Sequence, residues 1–176
     1  MVLPLTNDEI AGIIRAVTEN VFSTMLGVQV QPGGMTVHTI MADQTEGVVA
    51  FVGFTGNWTG SGSIRCNGQS ACIIGGKLLM TDFAEVNEEV LDALGEVANM
   101  IIGNFKDEAA CKLGPLALST PTVIHGNSFH TRNWNGQSWI TVPFTCEGES
   151  FEIKICLVPG NAVREPLRPA GLAVRQ

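Results

Sequence analysis

Glu96 and Asn99 are the pair whose types and spacing could do chemistry together. They stand three residues apart within residues 87–106, NEEVLDALGEVANMIIGNFK. A carboxamide accepts and donates hydrogen bonds at fixed geometry, and it is not an ordinary general base near neutral pH. A carboxylate adds a charge. At about 100° per residue, Asp92, Glu96, Asn99 and Gly103 fall within about 60° of one another on one helical side. That side is polar, so the spacing predicts a solvated face open to a partner.

The helix that must position them is legible in its apolar residues. Val90, Leu91, Leu94, Val97, Ala98, Ile101, Ile102 and Phe105 occupy an arc of roughly 140°, the stripe of a helix packed on a core. Asn87 is a good N-cap, with Glu88 and Glu89 in the first turn, where carboxylates suit the helix dipole. Lys106 suits the other end. Three choices weaken this helix: Gly95 and Gly103 each cost about 1 kcal/mol relative to alanine and Asn99 about half that. Locally disfavoured residues tend to mark functional sites. The same residues also read as the solvated back of a packing helix, and spacing alone leaves both readings open.

The run from Glu96 through Asn99 to Gly103, EVANMIIG, resembles the E-x-x-N helix of the CheX branch of the CheC/CheX/FliY phosphatases, which dephosphorylate the chemotaxis regulator CheY and related receiver domains. The resemblance extends over roughly residues 5–158. It implies an α+β fold, with long helices packed on a mostly antiparallel sheet, and a homodimer joined through the sheets. It implies that Asn99 orients the attacking water, as a glutamine does in GTP hydrolysis. Glu96 would pair with a lysine beside the receiver's phosphorylated aspartate, and Asp92 and Gly103 would flank the contact. Mg²⁺ would be held by the receiver, so no cofactor and no metal ligand are expected here. Related two-site phosphatases carry a second E-x-x-N on the first helix. Here Glu19 and Asn20 are adjacent, so a single site is expected.

Composition sets the frame. The chain has 176 residues, 45% hydrophobic and 15% charged, which fits one folded domain over residues 1–158. The formal net charge of -7 and pI near 4.8 argue against nucleic acid or an anionic membrane as partner. The start has no cationic n-region followed by an apolar run, and no stretch reaches eighteen apolar residues, so neither a signal peptide nor a spanning helix is expected. Five cysteines, an odd number without a C-x-x-C pair, fit reduced thiols in a cytoplasm. The sequon at Asn57 then reads as chance.

The remaining elements follow in order. Thr6 and Glu9 form a capping box ahead of a helix carrying Ile10, Ile14, Val17 and Val21, stopped at Gly27. Residues 35–42, 48–54 and 58–66 read as strands. The glycines of residues 53–63 read as a tight turn between two of them, since no G-K-[ST] follows to make a phosphate loop. Ser70 is expected to cap a helix over 71–80. Residues 107–112 continue the long helix or form a loop. Pro115 and Pro121 make residues 113–124 an interrupted or edge strand. Strands are expected over 128–134, 138–146 and 151–158, with a hairpin at 147–150. Residues 159–176, with three prolines and three arginines, read as a mobile tail, either a linker or a docking arm.

Other constellations are poorer. His38, His125 and His130 lack a third ligand at metal spacing. Ser61 and Ser63 lack a nucleophile elbow. Two functional classes remain: a receiver phosphatase using Glu96 and Asn99, or a module that binds a receiver or assembles a signalling complex without turnover.

Overall fold

The chain is described by a computed structural model covering residues 3–38, 42–132 and 138–160. Its first helix, α1 (Asn7–Val21), opens on the expected capping box. Thr6 Oγ1 accepts from Glu9 N at 3.2 Å, and Glu9 Oε2 accepts from Thr6 N at 2.8 Å. A π-helical turn (Phe22–Leu26) extends it to Gly27, which ends it in the left-handed region at φ 68°.

Among the described residues, eight strands then build one antiparallel sheet: β1 (Gln31–Pro32), β2 (Thr36–His38), β3 (Ala42–Gly56), β4 (Trp58–Cys66), β5 (Leu116–Leu118), β6 (Thr122–Arg132), β7 (Trp139–Cys146) and β8 (Glu149–Pro159). The main path runs β1-β7-β8-β4-β3-β5, with β2 sharing the outer edge of β7 with β1 and β6 sharing that of β3 with β5. Two helices between β4 and β5, α2 (Gly68–Leu79) and α3 (Glu88–Leu113), join α1 in covering one face. This is the α+β architecture that the resemblance implied.

Several local expectations shift. The strands placed at 35–42 and 48–54 are a short β2 and one long β3. The polar run 43–47, left between the two expected strands, stays in β3 through a bulge between Thr45 and Gly47. Gly47 is at φ 106°, and a Cβ there would collide with the backbone of Cys66 and Asn67. The β3–β4 connection is only Asn57, so Gly60 and Gly62 are strand residues rather than turn residues. The cap of α2 is Asn67, whose side chain accepts from Ser70 N at 2.7 Å; Ser70 lies inside the helix. Pro115 stands just before β5, and Pro121 lies between β5 and β6, which starts at Thr122 instead of 128. The β7–β8 hairpin holds, with Ile140, Val142 and Phe144 opposite Ile155, Ile153 and Phe151. It turns on Glu147 and Gly148 at φ 48° and 86°. From residue 161 onward, the expected tail lies outside the described residues.

The core lies between the helices and the sheet. Phe151 stacks on Phe22 at 4.9 Å and on Phe144 at 5.2 Å between ring centroids, tying α1 and its π-turn to the β7–β8 hairpin. Phe105 of α3 meets Phe54 of β3 at 6.0 Å. At Gly62 a Cβ would overlap Ile102 Cδ1, so a bare patch of β4 lets α3 sit down on the sheet. Full burial of Leu94, Ile101, Ile102 and Phe105 stabilises α3 by about 6–12 kcal/mol. That exceeds the roughly 2.5 kcal/mol its two glycines and one asparagine forgo in propensity. Packing, not intrinsic preference, makes this helix.

Candidate functional site

α3 runs from its Asn87 cap, whose side chain accepts from Val90 N at 3.0 Å, to Gly114 at φ 73°. It is therefore a rigid ridge of 26 residues, continuing seven residues past Lys106. The apolar stripe is buried as expected: Val90, Leu94, Val97, Ala98, Ile101, Ile102 and Phe105 each keep at most 1% exposure, while Leu91 is half-buried. The opposite side carries all four residues singled out in the sequence. Asp92 and Glu96 are exposed, and Asn99 and Gly103 are half-buried. Neither Glu96 nor Asn99 has a side-chain hydrogen bond or ion pair among the described residues, so neither is committed to holding the fold.

The half-burial of Asn99 has a structural cause that sequence reasoning did not reach. Gly95, Asn99 and Gly103 follow one another at four-residue spacing along the flank of α3. A Cβ on Gly95 would lie 3.3 Å from Val123 Cγ2 and 3.6 Å from Pro121 Cβ, and one on Gly103 would lie 3.9 Å from Leu118 Cδ1. The two glycines thus bring α3 against the β5–β6 connection, and Asn99 stands between those contacts. Ser119 fixes this rim. Its amide donates to Gly53 O at 3.0 Å, and its hydroxyl accepts from Gly53 N at 2.9 Å and donates to Thr120 O at 2.9 Å. The break between Pro115 and Pro121 was its only trace in the sequence.

The site is an outward face of α3, with Asp92 and Glu96 exposed. Two concavities lie elsewhere: about 650 Å³ between α1 and the last two turns of α3, and about 900 Å³ between α2 and residues 81–86. A small-molecule enzyme encloses its substrate in a cleft. A ridge bearing a carboxylate and a carboxamide can instead enter a cleft on another molecule. The face is acidic: Glu88, Glu89, Asp92 and Glu96 are exposed, while Lys106 pairs with Asp107 at 3.0 Å. No group of three or more His, Cys, Asp or Glu side chains among the described residues is placed to hold a metal ion. His38 bonds Thr36 Oγ1 at 3.0 Å, and His125 is exposed.

The profile of the family described as Chemotaxis phosphatase CheX matches residues 48–145, more than half of the chain and inclusive of α3. The chain belongs to the CheX family. Among solved structures, it is similar to chemotaxis protein CheX of Desulfovibrio desulfuricans, at 31% identity and a TM-score of 0.76, covering 85% of this chain and 99% of that one. CheX of Vibrio vulnificus follows at 27% identity and 0.74, again over 85% and 99%. A CheX–CheY–BeF3–Mg²⁺ complex from Borrelia burgdorferi contains a chain of the same fold, at 23% identity and 0.70, over 84% and 97%. A comparison with curated proteins gives no match. The family as a whole is described as chemotaxis phosphatases. Among the described residues, no helix is long and apolar enough to cross a membrane.

Proposed function

We propose that this CheX-family chain hydrolyses the aspartyl phosphate of a CheY-like receiver domain, with Asn99 as the catalytic residue and Glu96 as the residue that fixes register. The observation that carries the reading is the uncommitted Glu96–Asn99 pair on an outward ridge of a well-anchored helix. The Borrelia protein of the same fold is found with CheY, BeF3 and Mg²⁺. Carried over to this chain, that pairing supports a CheY-like partner, and in this reading the receiver holds the metal.

An aspartyl phosphate is an acyl phosphate and already reactive. Hydrolysis needs a water oxygen in line with the bond from phosphorus to the aspartyl oxygen. That oxygen bonds to phosphorus, the aspartate leaves as carboxylate, and the water's proton goes to the phosphate. Positioning and charge stabilisation do most of the work in such transfers. Asn99 holds the water through its amide. Glu96, one turn back, pairs with a receiver lysine, and Asp92 and Gly103 border the contact. Inserted into the partner, the ridge also excludes bulk solvent, which strengthens both interactions. The reading carries with it a homodimer and a cytoplasmic location, the latter supported by five free thiols.

Asn99→Ala tests the assignment. Phosphate release from a phosphorylated receiver with Mg²⁺ is expected to fall at least about a hundredfold, the scale of losing a positioning group. Binding to the BeF3-loaded receiver should persist. Unchanged release removes Asn99 from the mechanism. Binding by the unmodified chain without any release would make it a docking module.

A further inference from the structure

The groove between α1 and α3 belongs to none of the chemistry above. At about 100° per residue, Asn104 and Glu108, which line it, lie about 140° and 180° around α3 from Asn99. Its floor is apolar, with Leu5, Val17 and Ala109 buried and Ile13 half-buried. Gly12 and Ala16 keep the α1 wall low; both are exposed, and a Cβ on Gly12 would meet nothing within 4 Å. The α3 rim carries Glu108 and Asp107, the latter beside Lys106 at 3.0 Å, and Lys112 is occupied by Glu9 at 2.5 Å.

Gly160 brings the chain to the end of this groove. Its amide donates to Asn57 O at 2.8 Å, and Asn57 lies against Gly114, where a Cβ would sit 3.2 Å from Asn57 Nδ2. Gly114 directly follows the turn of α3 that carries Cys111 and Lys112 into the groove. Sixteen residues follow Gly160, and they invert the charge of the rest: Arg164, Arg168 and Arg175 against Glu165 alone, interleaved with Val163, Leu167, Leu172 and Val174. The α3 side of the groove, residues 104–112, is only about 13 Å long at 1.5 Å per residue. An extended chain covers that in about four residues.

We propose that residues 161–176 fold back into the groove between α1 and α3, with arginines on Asp107 and Glu108 and apolar side chains over Ile13 and Val17. The occupant is this chain's own tail, because its tether, its length and its opposite charge all match this one surface. Docking leaves the Glu96–Asn99 ridge clear, so the proposal stands apart from the phosphatase reading.

Cys111 supplies the readout. It lines the groove and is exposed, while Cys66, Cys72, Cys146 and Cys156 are buried. The probe is DTNB reacting with the native full chain, with a Cys111→Ser control to assign the fast thiol. A tail docked nine-tenths of the time slows that reaction about tenfold. Deleting residues 161–176, or making Arg164→Glu with Arg168→Glu, is expected to raise the rate towards tenfold, and 1 M salt should do so in part by screening. The double substitution keeps the test alive if the deletion variant folds poorly. Equal rates in the full, truncated and charge-reversed chains overturn the proposal. So does protection that grows with protein concentration, which places the tail in a second copy. Phosphate release should be unchanged by the deletion.

Discussion

Glu96 and Asn99 divide the proposed work, and their surroundings make that division measurable. Glu96 is exposed and has no side-chain partner among the described residues, so removing its charge should leave the fold alone. A hydrogen bond to a charged group contributes about 1.5–3 kcal/mol, worth roughly one to two decades in an equilibrium constant. Glu96→Gln is therefore expected to raise the KM for the phosphorylated receiver about ten- to hundredfold. Its Tm should stay within a degree of the unmodified chain. A clear loss of Tm would make Glu96 structural. A loss confined to kcat would move it into the reaction centre with Asn99. Asn99 differs in being half-buried, four residues from each of two glycines that face the β5–β6 rim. A side chain held in such a place would have the preorganisation that a water-orienting amide needs.

α3 shows how a helix can carry costly residues and remain rigid. Gly103 has only Leu118 Cδ1 at 3.9 Å from where a Cβ would lie, an ordinary contact. Gly103→Ala should therefore recover about 1 kcal/mol of helix propensity and raise the Tm by about 2–4 °C. If the bare position makes room for the partner's backbone, the same variant releases phosphate more slowly. A more stable variant with full activity removes Gly103 from the docking face. Gly95→Ala gains less, because its Cβ meets Val123 Cγ2 at 3.3 Å. The stripe and the polar face of α3 were legible because 3.6-residue periodicity is local information. The same holds for the Thr6 capping box and the β7–β8 hairpin. What was not legible depends on partners distant in sequence. The run 43–47 is polar yet paired with β6. Gly60 and Gly62 resemble a turn until neighbouring strands and Ile102 occupy the space above them. The rim beside Asn99 exists only once α3 lies on β5 and β6.

At the scale of the whole molecule, one ion pair clasps the first turn of α1 to the last turn of α3. Lys112 Nζ lies 2.5 Å from Glu9 Oε1, and Glu9 also completes the capping box. The Lys112 ammonium first, and the Thr6 hydrogen bonds next, hold the Glu9 carboxyl down from its usual 4.5 to about 2. A carboxyl lowered in the folded state binds fewer protons there than in the unfolded chain. Its contribution is thus present above about pH 4.5 and disappears as pH falls towards 2. The pair is solvent-exposed, so screening keeps its contribution modest. Acid relieves the self-repulsion of a chain with net charge -7 only down to its pI near 4.8; below that the chain turns net positive and its repulsion grows again. Comparison with Glu9→Gln separates the two, since that variant retains nearly all of the net charge and lacks the clasp. Melting both chains from pH 7 to 2 is expected to give a lower Tm for the variant at neutral pH and convergence between pH 4.5 and 2. Curves that stay parallel to pH 2 would show that Glu9 acts through its neutral cap contacts, leaving Lys112 without a role in joining the helices.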